Sequence, residues 1–292
     1  MILTSETYNQ DCIIGMKSID SNSINAIITD PPYKYLDHKL DLDFNESQFF
    51  EQAKRVLKDN GFIILFGRGK AFYRWCVMLE NLGFEFKEEI IWNKTQGSSP
   101  LLLLQRIHET IAVFTKKNGK IKKVMQPYME QKQFDHKNIQ ADINRLKTCF
   151  NNSEVFKDIM NYLDNGIIKN RFYKPNHGIT QSNSHKNGSC IRHISPLKAM
   201  LHGTQLRSVI RINRDHYNTS HPTQKPVRLM ELLIQLVCNP NDTIIDPFLG
   251  SGSTRIAAIN TGMNFIGYEI DTEYFNMQEK RYQTFTQQNK IF

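Results

Sequence analysis

The sequence predicts an α/β fold built on a doubly wound, mostly parallel sheet, and three stretches carry that prediction. The first is a short apolar run, Ala26-Ile27-Ile28-Thr29, stopped by Asp30-Pro31-Pro32-Tyr33. The second begins with turn residues at Asn241-Asp242 and the β-branched run Thr243-Ile244-Ile245. It continues through Asp246, Pro247 and Phe248 to the turn Gly250-Ser251-Gly252, then a small-residue helical pattern from Ser253. The third, Asn264-Phe265-Ile266-Gly267-Tyr268, is a strand pattern ending in Glu269. Unbroken apolar runs of this length suit strands covered on both faces, and helical patterns between them imply winding on both faces.

Taken in order, Asp11-Cys12 follows an N-terminal strand pattern. The strand at 26–29 is cut off by two prolines, which supply no backbone N–H and fix φ, so the turn presents carbonyl oxygens. In open α/β sheets ligands bind at the carboxyl ends of the strands, which is where Asp30 and Tyr33 fall. Acceptors beside an aromatic ring suit a flat molecule bearing an amino group. Residues 46–58 read as a helix burying Phe49, Phe50, Ala53, Val56 and Leu57, ended by Asp59-Asn60-Gly61. A strand at 62–66, a helix at 71–82 and strands near 88–92 and 110–114 follow. Residues 138–150 and 154–164 are helical patterns, the second capped by Ser153 and closed by Gly166. Residues 174–190 are polar and glycine-containing and read as a loop.

The segment His221-Pro222-Thr223-Gln224-Lys225-Pro226 leads into a helix with apolar residues at 229, 232, 233, 236 and 237. Pro226 suits its first position, and Asn239-Pro240 closes it. Thr223 and Lys225 then sit beside the glycine turn, either holding an amino-acid carboxylate or forming a capped loop with a solvated lysine. In the turn, glycines permit close backbone approach and the helix start offers free N–H groups. Glu269 follows Gly250 by nineteen positions, the spacing of an acceptor for ribose hydroxyls. The pattern is not G-x-G-x-x-G and has no phosphate-binding lysine after it, which favours a nucleoside ligand over a diphosphate.

Together these pieces resemble the S-adenosylmethionine-dependent amino-methyltransferases of DNA. DPPY is similar to their catalytic motif, DPFLGSGST to their cofactor motif, and HPTQKP to the segment before it. The order, catalytic piece first, resembles the permuted β group, and the Asp of DPPY its adenine-N6 branch. The resemblance covers roughly residues 1–115 and 221–285. It implies a seven-stranded methyltransferase sheet whose last strands form an antiparallel hairpin. It also implies that Asp30 and the Pro31 carbonyl accept from the target amino group, with Pro32 in the same turn and Tyr33 stacking on an extruded base. Cofactor contacts are implied at Asp11, Cys12, Asp30, Thr223, Lys225, Asp246, Phe248, Gly250, Ser251, Gly252, Ser253 and Glu269. For Asp11, a plain turn residue is an equal alternative.

Charge is uneven along the chain. Residues 116–220 hold 19 Lys or Arg against 7 Asp or Glu, whereas the rest hold 18 against 22. A basic region beside a base-binding corner is the footprint of a nucleic-acid contact, and this one lies where the resemblance puts a target-recognition region. Arg192, Arg207, Arg211 and Arg214 are the candidates for phosphate or base-edge contacts. The organisation expected is therefore 1–115 as catalytic half, 116–220 as a basic inserted DNA target-recognition region, and 221–292 as cofactor half.

No run approaches a membrane span, and the start lacks the regions of a signal peptide. Five scattered cysteines without C-x-x-C spacing suggest reduced thiols and a cytoplasmic protein, and the resemblance implies a bacterial or phage origin. His185, Cys190 and His193 match no zinc spacing, so no metal is expected. The function expected is site-specific methylation of adenine N6 in double-stranded DNA. Cytosine-N4 or RNA methylation, and an inactive DNA-binding shell, remain as alternatives. The resemblance adds a homodimer and a cognate restriction endonuclease as partners.

Overall fold

The computed structural model describes residues 3–33, 43–96, 103–132, 135–150, 190–215 and 224–289. The chain forms two compact units, Met1–Val124 with Arg207–Phe292, and Met125–Leu206. The second is shorter at both ends than the basic region 116–220.

Among the described residues the strands are β1 (Ser5–Tyr8), β2 (Ile24–Thr29), β3 (Leu57–Gly67), β4 (Glu85–Asn93), β5 (His108–Thr115), β6 (Met125–Gln126), β7 (Thr204–Gln205), β8 (Val209–Arg211), β9 (Thr243–Asp246) and β10 (Asn264–Tyr268). The helices are α1 (Cys12–Met16), α2 (Glu46–Val56), α3 (Gly69–Asn81), α4 (Tyr128–Lys132), α5 (His136–Phe150), α6 (Cys190–His202), α7 (Val227–Val237), α8 (Ser253–Asn260) and α9 (Thr272–Asn289).

The larger unit holds an eight-stranded sheet in the order β1-β10-β9-β2-β3-β5-β4-β8. It is parallel throughout except where β5 runs against β3 and β4. Phe62 to Phe66 of β3 are buried without alternation because both faces are covered. Ile27 and Ile28 of β2, Ile244 and Ile245 of β9, and Phe265 of β10 are fully enclosed around them. Each such side chain contributes about 1.5–3 kcal/mol by leaving water. On α7 the stripe Leu229, Leu232, Leu233 and Leu236 is buried, as its spacing requires.

Three expectations need correction. The sheet has eight strands rather than seven, because β8 adds to β4 with Ile91 opposite Val209; three residues are too few to display a period. The helix expected to 58 ends at Val56, where the extended Leu57 donates its N–H to the Ala53 carbonyl. Asp59-Asn60-Gly61 lies inside β3 instead, within a bulge that takes the register from Ile24↔Leu57 to Ala26↔Phe62. Pro226, with φ −61° and ψ 132°, caps α7 from outside, and Val227 is the first helical residue.

The smaller unit contains α4, α5, α6 and the antiparallel pair β6–β7. Tyr128 donates to the buried Asp142 at 2.9 Å, and Lys132 approaches the same carboxylate at 3.5 Å. Helix α6 opens at Cys190 and carries Pro196 within it. The helix expected at 154–164 lies outside the described residues, as does all but the last residue of the loop expected at 174–190. Among the described residues no helix is long and apolar enough to cross a membrane.

The fold positions a site because β2 and β9 are neighbours, with Ile27 opposite Ile245. Their carboxyl ends deliver Asp30 and Asp246 to one edge of the sheet, although more than two hundred residues separate them in sequence.

Candidate active site

Asp30 follows β2 directly and is enclosed by charge. Its Oδ2 accepts from the Lys225 ammonium. Its Oδ1 is buried and has no hydrogen-bond partner among the described residues. Lys225 also pairs with Glu109 Oε2 at 3.1 Å, and Glu109 Oε1 accepts from Lys94 at 3.2 Å. Four side chains of alternating sign thus run from the carboxyl end of β2 to the start of β5 and the end of β4. Lys225 lies 5.1 Å from the Phe66 ring centre and 5.9 Å from that of Trp92. Burial pushes the Asp30 carboxyl up to about 6, with the Lys225 cation opposing and Glu109 reinforcing. Lys225 is held above the ordinary lysine value: burial opposes its charge, but Asp30 and Glu109 overcome that. Glu109 stays below its ordinary value against burial, held by Lys225 and Lys94.

Pro31 is buried, and Pro32 and Tyr33 are half-buried. The Tyr33 ring rests 5.9 Å from Trp75, which in turn lies 6.1 Å from Phe44. Phe44 meets Phe248 at 5.0 Å, and Phe248 meets Phe49 at 5.4 Å. One aromatic wall therefore connects the Asp-Pro-Pro-Tyr corner to the segment before the glycine turn.

The turn itself needs its glycines: Gly250 has φ 50° and Gly252 φ 73°, a region that side chains disfavour. A Cβ at Gly252 would also stand 3.2 Å from the Gln278 side chain. Asp246 fixes the turn from beneath, its Oδ1 accepting from the Phe248 N–H at 3.2 Å and its Oδ2 from the Thr254 hydroxyl at 2.6 Å. Burial pushes this carboxyl up to about 7, against those two hydrogen bonds. Glu269 accepts from the Gly250 N–H at 2.8 Å and from the Asp271 N–H at 2.9 Å. Ser253 donates to the Lys225 carbonyl at 2.6 Å, and Arg281 donates to the Ser251 carbonyl at 2.7 Å and to Ser253 Oγ at 2.9 Å. Asp11 caps α1, accepting from the N–H groups of Ile13 at 2.8 Å and Ile14 at 3.0 Å. Cys12 is buried beside it, and burial raises its thiol well above the ordinary range.

Asp30, Tyr33, Lys225, Asp246, Phe248, the glycine turn and Glu269 thus come together at the carboxyl edge of β2, β9 and β10. Thr223 lies outside the described residues. Lys225 is not the solvated lysine of a capped loop: it is buried, and its ammonium meets Asp30 and Glu109. Among the arginines, Arg207 and Arg211 are exposed, Arg214 is half-buried, and Arg192 falls on α6 in the smaller unit. Sequence reasoning missed Glu109, Lys94, Trp75, Phe44 and Arg281. The signal for Glu109 was an acid opening an otherwise apolar strand pattern; for Trp75 it was a large ring on the buried face of α3.

The donor set suits a nucleoside carrying a positive charge. Carboxylates line the edge, an aromatic wall offers apolar contact, and the turn allows close approach without a cradle of lysines for phosphates. Among the described residues no group of three His, Cys, Asp or Glu is placed to hold a metal.

A family model described as DNA methylase, covering N6 and N4 enzymes, matches residues 24–280. The chain is 26% identical over 285 residues to the Type II methyltransferase M.HpaI of Haemophilus parainfluenzae, across 93% of this chain and 72% of that one. The solved structure of M1.HpyAVI with S-adenosylmethionine superposes with a TM-score of 0.55 at 22% identity, covering 95% of this chain and all of that one. The cytosine-N4-specific PvuII DNA methyltransferase superposes with a TM-score of 0.58 at 16% identity, covering 96% and 87%. At these identities the two structural likenesses speak for the fold.

Proposed function

The chain belongs to the DNA methylase family, and we propose that it moves a methyl group from S-adenosylmethionine to the N6 amino group of an adenine turned out of duplex DNA. The observation that carries this reading is the buried Oδ1 of Asp30, which has no hydrogen-bond partner among the described residues and is an acceptor at the sheet edge beside the glycine turn. The family includes N4 enzymes, and the acid of Asp-Pro-Pro-Tyr, where cytosine-N4 relatives usually carry Ser, favours adenine over cytosine. The Type II relatives favour a restriction-modification setting, with a cognate endonuclease and a homodimer as further proposals. The larger unit, with residues 1–115 and 221–292 as its two halves and β8 added to its sheet, serves as the catalytic domain, and the basic residues within 116–220 meet DNA.

When bound, S-adenosylmethionine supplies an electrophilic methyl group on a cationic sulfur. The chain does the rest. An exocyclic adenine nitrogen is a poor nucleophile because its lone pair is delocalised into the ring. Asp30 Oδ1 and the Pro31 carbonyl accept its two hydrogens, localise the lone pair and stabilise the positive charge that grows on nitrogen during transfer. Tyr33, backed by Trp75, receives the base. Turning a base out costs a few kcal/mol, and stacking on the ring offsets about 1–3 kcal/mol of it. Gly250 and Gly252 let the cofactor approach the backbone, with Asp246, Phe248, Ser251 and Ser253 around it. Glu269 takes the ribose hydroxyls with the lone pairs that its two backbone N–H bonds leave over. Transfer would be a single in-line displacement: the nitrogen–carbon bond forms as the sulfur–carbon bond breaks, and the sulfur leaves as a neutral thioether. The methylated nitrogen gives up its extra proton to water, so no covalent enzyme intermediate is required.

Protonation of Asp30 removes the negative acceptor. Its folded-state value is raised to about 6, so kcat/KM should climb as pH rises through about 6 and fall tenfold per unit below it. A profile flat from pH 5 to 8 would contradict the assignment. On the DNA side, Arg207→Gln with Arg211→Gln should weaken binding and reduce the slope of log Kd against log salt by roughly 2. An unchanged slope would remove both from the contact surface. The reading as a whole is tested by incubating the protein with methyl-labelled S-adenosylmethionine and either unmethylated duplex DNA or RNA. Label in DNA alone is expected; label in RNA alone, or in neither, would refute it.

A further inference from the structure

We propose that Lys225 is a positioning residue for methyl transfer: it engages one oxygen of Asp30 so that the other faces the target amino group, and it ties Asp30 to the glycine turn. The inference rests on the methyltransferase reading above and adds which side chains set the acceptor in place.

Two sets of bonds carry it. On the side-chain end, the ammonium meets Asp30 Oδ2 and stands 3.1 Å from Glu109 Oε2, with only 8% of the residue exposed. On the backbone end, the Lys225 carbonyl accepts from Ser253 at the start of α8, and Arg281 holds both Ser253 and the Ser251 carbonyl. A continuous path of hydrogen bonds therefore runs from the cofactor turn through one residue to the catalytic acid. A buried cation between two half-buried acids is costly to disturb, because removing it leaves uncompensated charge. If Lys225 were to hold a ligand carboxylate instead, Asp30 would lose its cation and Glu109 would keep only Lys94.

Among the described residues, the charged groups facing Asp30 are Lys225 from the loop before α7, Glu109 on β5, Lys94 just beyond β4, and Asp246 at the end of β9. Lys225 and Glu109 act on the Asp30 carboxylate in opposite senses, and this distinguishes positioning from mere structural support. Loss of the cation should raise the pH at which Asp30 takes up a proton. Loss of the Glu109 charge should lower it.

The test compares Lys225→Met, Lys225→Arg and Glu109→Gln in the full chain. Lys225→Met should lower kcat by on the order of 10²-fold, as a misplaced reacting geometry does. It should also move the acid limb of kcat/KM upward by about one to three pH units. Glu109→Gln should move the limb downward, and Lys225→Arg should restore part of kcat and return the limb toward the wild-type position. The affinity for S-adenosylhomocysteine, measured calorimetrically at pH 8, should stay nearly unchanged in all three. The titration is read a second time from the ¹³C resonance of the Asp30 carboxyl carbon in the protein alone, assigned with Asp30→Asn. A wild-type chain without methyl transfer would overturn the functional reading, and this resonance would still decide on Lys225. A limb and resonance that move in neither variant would overturn the inference. So would a Lys225→Met protein that loses cofactor affinity tenfold or more with the titration unmoved, which would assign the lysine to the ligand carboxylate.

Discussion

Asp30→Ala should lower kcat for methyl transfer by on the order of 10²- to 10³-fold, the usual cost of deleting one preorganised group that stabilises transition-state charge. Cofactor affinity and stability should change little, because Glu109 remains 3.1 Å from Lys225 and keeps that cation paired. The substitution thus separates chemistry from folding, which most changes in a buried charge network cannot do. Asp30→Asn retains an acceptor oxygen without the charge and should fall between alanine and wild type. Radiolabel transfer under single-turnover conditions, beside calorimetric titration with S-adenosylhomocysteine, makes the measurement. Normal turnover in Asp30→Ala would dismiss the acid from its role.

Trp75→Ala should have the largest effect on stability. The ring is fully enclosed on α3, between Tyr33 and Phe44 and within the core that includes Phe49 and Phe72. Removing a buried tryptophan costs about 3–5 kcal/mol through lost transfer energy and the cavity left behind. The same cavity takes the backing from Tyr33, so KM for DNA should rise in whatever fraction still folds. Trp75→Phe should recover most of the stability, since it keeps an aromatic body in the gap. Urea unfolding followed by circular dichroism measures both variants. A loss below about 1 kcal/mol for the alanine variant would show that the wall can close over the gap.

The parts of this fold legible in the sequence were those where one local pattern fixes the answer. Ala26 to Thr29 ends at two prolines that cannot join a ladder, so the strand end and its acid were fixed together. The glycine turn was legible because Gly250 and Gly252 occupy backbone angles that other residues disfavour. The end of α2 was not: Asp59-Asn60-Gly61 carries a terminator's composition, and only pairing with β2 makes it a bulge in β3. Composition reports what a segment tolerates, whereas strand pairing decides which tolerated state it adopts. The three residues of β8 were illegible for a related reason, as their place depends on β4 lying open beside them.

The site divides along the same line. Residues that act through backbone geometry or motif spacing, from Asp30 to Glu269, were named from the sequence. Those that act through tertiary contact were not. Glu109 and Lys94 lie at the ends of neighbouring antiparallel strands, and nothing in their spacing points at Asp30, roughly eighty residues away in sequence for Glu109. For Lys225 the place beside the glycine turn was visible, but the register that brings β5 and the end of β2 to its ammonium was not. Phe44 and Trp75 looked like ordinary core residues, and only their rings' arrangement around Phe248 and Tyr33 makes them a wall of the site.

The most direct measurement is the identity of the methylated nucleoside. Unmethylated genomic DNA treated with the protein and labelled S-adenosylmethionine is digested to nucleosides and resolved by mass spectrometry. The label should appear in N6-methyldeoxyadenosine, and Asp30→Ala should lower its initial rate of appearance by on the order of 10²- to 10³-fold. Label in N4-methyldeoxycytidine, or none at all from the wild-type protein, would contradict adenine methylation.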